Sequence, residues 1–188
     1  MVAPNGHAPG RIRYCQRIAG RPELQETSEI TSAAGPGVTD DVVAVRYVLM
    51  ASDEPIVVVA HSYGGIVVAE VATGSGSVHH LLFISSYLPE AGQSLSSFGG
   101  EDPTEFLDVV PTDRKFTVRP DRRVETFLQD CDPAIQPAAP DRTARQSLAV
   151  LEQAVHAAAG HHIPTTYPMC VKDTGTRPTD NKSSPVEP

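Results

Sequence analysis

Ser62 is the residue whose neighbours best suit it to act as a nucleophile. It stands in Ala60-His61-Ser62-Tyr63-Gly64-Gly65, after the apolar run Ile56-Val57-Val58-Val59 and before a second apolar run from Ile66. A serine hydroxyl is a poor nucleophile at neutral pH. It needs a general base, usually His, and a third group that orients the base. It also needs donors for the oxyanion that forms when it attacks a carbonyl, and losing one costs about 2.7–4 kcal/mol. A sharp turn between a buried strand and a helix serves several of these needs together. It aims Oγ into a pocket and presents the backbone N–H of the next residue, here Tyr63, to the oxyanion. The start of the helix adds partial positive charge at the same point. His61 lies within the turn, and Gly64 and Gly65 let the helix start lie close to the strand. The competing reading is a serine that merely caps the helix.

The elements around the turn read as an alternation of helix and strand. Thr39-Asp40-Asp41 suits a helix start, with Thr39 as cap and the aspartates at the positive end of the dipole. Val42, Val45, Val48 and Leu49 fall at helical spacing, which predicts a helix through about Ser52. Asp53-Glu54-Pro55 breaks it. Ile56–Ala60 is apolar without alternation, as in a parallel strand covered on both faces. A helix is predicted over Gly64–Thr73, ended by Gly74-Ser75-Gly76-Ser77, and a strand over Val78–Ser85. This is an α/β pattern. From Pro89 to about Pro140 the chain is polar and turn-rich, with short apolar patches, and reads as a short-helix insertion. Ala144–Ala159 predicts a helix with Leu148, Leu151, Val155 and Ala158 on one face. Ile163–Val171 predicts a further strand, weakened by Pro168. Residues 1–37 read as irregular and 174–188 as a disordered tail.

Composition excludes several classes. A net charge of -8 argues against nucleic acid or an anionic membrane surface as a partner, since both need a basic face. No stretch approaches a membrane span, and the N-terminus lacks the apolar core of a signal peptide. Cys15, Cys131 and Cys170 are far apart and odd in number, so a reducing, cytoplasmic setting fits better than a disulfide framework. His79-His80 and His161-His162 invite a metal reading. Adjacent strand residues point to opposite faces, and no Cys or carboxylate stands beside either pair at ligand spacing, so no metal site is expected.

The segment VVVAHSYGGIVVAEVA resembles the nucleophile elbow of the α/β-hydrolase superfamily. His80-Leu81-Leu82-Phe83-Ile84-Ser85-Ser86-Tyr87-Leu88-Pro89 and the residues through Leu95 resemble the next strand and the cap entry of its esterase and hydroxynitrile-lyase-like branch. His162-Ile163-Pro164-Thr165-Thr166-Tyr167-Pro168-Met169-Cys170-Val171-Lys172-Asp173 resembles the late strand that delivers the triad acid. The resemblance implies an α/β-hydrolase-like fold over residues 38–173: a mostly parallel sheet, flanking helices and a small cap at about 89–140. It further implies Ser62 as nucleophile, Asp173 as acid, the Tyr63 N–H as oxyanion donor, and His61, Gly64 and Gly65 as support for the elbow. Ala60 replaces the first Gly of the superfamily's G-x-S-x-G.

Two departures accompany the match. The superfamily order is Ser, acid, His, yet no histidine follows Asp173. Residues 1–37 also show no early strand ending in an HG-type oxyanion loop; His7 lacks both the following Gly and a preceding apolar run. On this reading the fold is incomplete at both ends. His161 and His162 precede the acid strand and are expected at its far end. His156 reads as a surface or core residue, and His61 as pointing away from its neighbour. The expected function is hydrolysis of a small carboxylic ester through an acyl-Ser62 intermediate, with no cofactor implied. One alternative is a non-catalytic remnant or binding module lacking the catalytic histidine. Another is a hydroxynitrile lyase, which also wants a positioned lysine such as Lys172.

Overall fold

A computed structural model describes residues 37–51, 53–99, 105–134, 136 and 145–175. The readings of His7, Cys15, the N-terminal segment before Gly37 and the tail beyond Gly175 lie outside these.

Helix α1 spans Val38–Leu49, strand β1 Ile56–Ser62, helix α2 Gly64–Val71 and strand β2 Val78–Ser86. The apolar face of α1 (Val38, Val42, Val45, Leu49) packs on α2, whose Ile66, Val67, Val68 and Val71 are buried in turn. Leu81 and Phe83 of β2 lie beneath them with no exposed surface. Burial of each such side chain contributes about 1.5–3 kcal/mol. Strands β1 and β2 are parallel, with Ile56 opposite Val78 and Ser62 opposite Ser86, and the register slips between His61 and Ser62. A short strand β6, Thr165–Thr166, adds in parallel on the far side of β2, giving the order β1-β2-β6.

Several expectations need correction here. Strand β1 is not covered on both faces: Val57 and Val59 are 62% and 44% exposed, and Ile84 of β2 is 37% exposed. Both helices α1 and α2 bury residues on the opposite side, so alternate β1 residues remain outside. Helix α1 starts one residue before Thr39, with Gly37 in the cap position and no side-chain cap bond. The Thr39 N–H instead meets Gln153 Oε1 at 3.4 Å. Only Thr165 and Thr166 of the expected 163–171 strand pair with β2. The Pro164 carbonyl accepts from Leu81 N at 2.9 Å, but Pro164 and Pro168 have no N–H to extend the ladder.

The insertion is not a set of short helices. Strands β3 (Leu107–Val110), β4 (Lys115–Val118) and β5 (Gln146–Ser147) form a small antiparallel sheet in that order. The β3–β4 hairpin turns through Pro111–Asp113, with Arg114 at φ +49°. Val109 lies opposite Phe116 and Leu107 opposite Val118, so the apolar patches are strand faces. Among the described residues of the insertion one short α-helix, α3, spans Arg123–Phe127. The helix expected over 144–159 shrinks to α4, Ala149–Glu152. Tertiary bonds displace its continuation: Val155 N donates to Gln93 O and Gly92 N to Val155 O, 2.9 and 2.8 Å, while Val155 is 1% exposed. The burial of Val155 is thus reached by non-helical backbone.

Candidate active site

The turn after β1 has the geometry that a projecting serine requires. Ser62 ends the strand with φ +50°, Tyr63 turns into αR, and α2 begins at Gly64. A non-glycine residue in the left-handed region costs roughly 1–2 kcal/mol, so the surroundings must hold it there. They do so from β2. The Ser86 hydroxyl, fully buried, donates to the Ser62 carbonyl at 2.8 Å. Gly65 makes that approach possible: a Cβ there would lie 2.3 Å from both Ser86 Oγ and the Tyr87 carbonyl. The Ser86 carbonyl is itself met by the Tyr167 hydroxyl at 3.1 Å.

Tyr63 sends its ring inward, 8% exposed, and its hydroxyl donates to Asp41 Oδ2 of α1 at 2.8 Å. Asp41 is 2% exposed, and its Oδ1 is buried with no hydrogen-bond partner. Burial raises the Asp41 carboxyl above the ordinary carboxylate range. The Tyr63 bond opposes that rise and Asp40 adds to it. Burial, then the Asp41 charge, pushes the Tyr63 phenol upward as well.

Asp173 arrives at the carboxyl end of β2 from the loop after β6. Ser85 Oγ donates to its Oδ2, and Gly175 N donates to Oδ1 at 2.9 Å. Ser85 also has positive φ, +44°. The loop is fastened to the insertion: Thr174 Oγ1 lies 3.0 Å from the Glu125 and Thr126 carbonyls at the end of α3, and Gly175 lies beneath the Phe127 ring. Thr174 and Gly175 therefore are not tail, as the sequence reading had them. Asp173 also acts on His61. Loss of water around the His61 ring lowers its pKa, and the Asp173 charge raises it in opposition.

The candidate residues thus fall into two groups at one end of the sheet. Ser62, Tyr63, Gly64 and Gly65 form the turn, while Asp173, Ser85 and His61 form a polar cluster at the strand ends. Among the described residues no histidine is hydrogen-bonded to Ser62. His156 meets Glu70 through its backbone N–H at 3.0 Å and Nδ1 at 3.3 Å; His161 Nε2 meets Glu90 at 2.6 Å; His80 Nε2 meets Thr166 at 2.8 Å. Lys172 offers its carbonyl to Gln129. No group of three His, Cys, Asp or Glu among the described residues is arranged to hold a metal ion. No helix among them is long and apolar enough to cross a membrane. Asp41, Ser85, Ser86 and Tyr167 were missed as partners of the turn and the acid. Only Asp41 carried a signal, its helical spacing from Val38, Val42 and Val45.

A family model described as the alpha/beta hydrolase family matches residues 15–181. The chain belongs to the alpha/beta hydrolase family. Among its curated relatives in that family, the alpha/beta hydrolase nvfD of Aspergillus novofumigatus is 25% identical over 158 residues, 76% of this chain and 62% of the relative. A pyrethroid hydrolase from Sphingobium faniae superposes with TM-score 0.62 at 18% identity, over 77% of this chain and 64% of that one. Polyneuridine aldehyde esterase gives 0.60 at 18%, over 76% and 64%. An extracellular alpha/beta-hydrolase from a Paenibacillus species gives 0.68 at 17%, over 76% and 62%. The chain spans less than two thirds of the length of these four proteins. The structural likeness establishes the alpha/beta-hydrolase fold, with the parallel sheet and helices described above.

Proposed function

We propose that this alpha/beta hydrolase is a serine esterase that cleaves a small carboxylic ester through an acyl-Ser62 intermediate. The observation that carries the reading is the backbone of Ser62: a non-glycine residue at φ +50°, between a parallel strand and a helix, held by Ser86. Such strain concentrates where a side chain must project. Ser62 Oγ attacks the ester carbonyl while a base takes its proton. The resulting oxyanion lies toward the Tyr63 N–H and the start of α2. The alcohol then leaves with a proton, and water releases the acid and restores the hydroxyl. Asp173, held by Ser85 and the Gly175 N–H, is the acid that orients the base. The pyrethroid hydrolase and the polyneuridine aldehyde esterase among the structural neighbours agree with this reaction class.

A second reading is favoured by the histidines. The described His80, His156 and His161 are engaged elsewhere, which suits a chain that keeps the turn and binds without turnover. Labelling with an activated fluorophosphonate, followed by intact mass, separates the two. The esterase reading expects rapid modification at one site, lost in Ser62→Ala. A folded chain that stays unmodified refutes it and leaves the binding reading.

A further inference from the structure

The Ser62–Tyr63 peptide unit carries both the carbonyl that Ser86 grips and the N–H assigned to the oxyanion. In a trans peptide these two groups point in opposite directions. The 2.8 Å bond from Ser86 Oγ to the Ser62 carbonyl therefore turns the Tyr63 N–H away from β2. One hydrogen bond fixes a direction but leaves the plane free to rock about it. A second anchor is needed, and the Tyr63 side chain offers one. Its hydroxyl is held at 2.8 Å by Asp41, a carboxyl on α1 that is 2% exposed and has one oxygen with no partner. An apolar residue at 41 would spare the helix a buried, half-satisfied carboxyl. The buried pair spans 22 residues of sequence and joins α1 to the residue after Ser62.

We propose that Asp41 is a positioning residue for the Ser62 turn, acting through the Tyr63 hydroxyl to fix the orientation of the Tyr63 N–H. The structural part rests on the buried hydrogen bond alone. Its consequence for reactivity rests on the esterase reading of Ser62. The Ser86 and Asp41 anchors reach the same peptide from β2 and from α1, so the turn is set by the packing of a strand and a helix rather than by local preference. Asn at 41 would keep an oxygen for the Tyr63 hydroxyl and resemble the protonated acid. Ala would leave the hydroxyl buried without an acceptor.

The test compares the full chain with Asp41→Asn, Asp41→Ala and Tyr63→Phe. One arm follows the Tyr63 amide by ¹⁵N–¹H spectra and hydrogen exchange. The other follows the rate of fluorophosphonate labelling. Asp41→Ala and Tyr63→Phe should move the Tyr63 amide resonance and speed its exchange beyond any global change, and slow labelling about ten- to a hundredfold. Asp41→Asn should recover most of both losses, a rescue that lost packing alone would not produce. An amide at position 63 that exchanges no faster in Tyr63→Phe than in the wild type, or an Asp41→Asn variant no better than Asp41→Ala, overturns the proposal. If Asp41→Ala does not fold, Tyr63→Phe against Asp41→Asn decides. If the wild type is not labelled, the esterase reading falls, and the amide arm still decides whether Asp41 sets the turn.

Discussion

Gly65→Ala probes the contact on which the turn depends. The added Cβ would meet Ser86 Oγ and the Tyr87 carbonyl at 2.3 Å each, more than an ångström inside ordinary contact. Ser86 could rotate aside, but the bond from its buried hydroxyl to the Ser62 carbonyl would go with it, a loss of about 1 kcal/mol. The Tyr87 carbonyl is backbone, so relieving that clash means moving the end of β2, an overpacking cost of about 1–3 kcal/mol. Against this stands the better helix propensity of alanine, at most about 1 kcal/mol. The net expectation is a destabilisation of roughly 1–3 kcal/mol. Urea unfolding followed by circular dichroism reads it as a lower midpoint at unchanged slope. Gly65→Ala/Ser86→Ala should relieve only the clash with the hydroxyl, since the bond to the Ser62 carbonyl stays lost and the Tyr87 carbonyl remains. A Gly65→Ala midpoint at or above that of the wild type would refute the close approach and the grip on Ser62 derived from it.

Three further outcomes are expected. Ser62→Gly should be about 1 kcal/mol more stable than Ser62→Ala, because only glycine relieves the left-handed backbone; equal urea midpoints would contradict the φ of +50°. Asp173→Asn should lower the His61 pKa further, because the charge that raises it against desolvation is removed; an unchanged NMR titration would separate the two groups. The raised Asp41 carboxyl means that the folded state holds this proton more tightly than the unfolded chain. Its contribution to stability is therefore full below the ordinary value of about 3.9, falls as pH rises through the window up to the raised folded value, and is flat above it. Asp41→Asn should remove that slope, and an identical pH profile for the two proteins would reject the shift.

The sequence showed the turn and its flanking elements because local pattern decides them. The β-branched run before Ser62, the two glycines after it and the valine spacing of α1 each carry their own signal. The long reach of Asp173 to Ser85 carries none, since 88 residues separate partners that meet only through sheet order. The insertion was misread for a similar reason. Leu107–Val110 and Lys115–Val118 are too short to show a clear alternation, and their pairing with Gln146–Ser147 is non-local. Val155 misled more directly. Its helical spacing from Leu148 and Leu151 is real, yet its burial comes from backbone bonds to Gln93 and Gly92. Asp41 could have been found: a carboxylate at helical spacing among Val38, Val42 and Val45 has to be buried or to break the face. Charge patterning at the helix start drew attention to the dipole instead.

The tie between Thr174 and the last carbonyls of α3 makes the insertion a poor unit of exchange. Grafting the insertion of another family member between β2 and β6 would replace the segment that positions the two carbonyls from which the Asp173 loop hangs, along with the Phe127 ring over Gly175. The loop that carries the carboxylate would then lose these ties. Chimeras meant to alter only what the insertion covers would also shift the acid, so their crossover points belong after Gly175 rather than before Thr165.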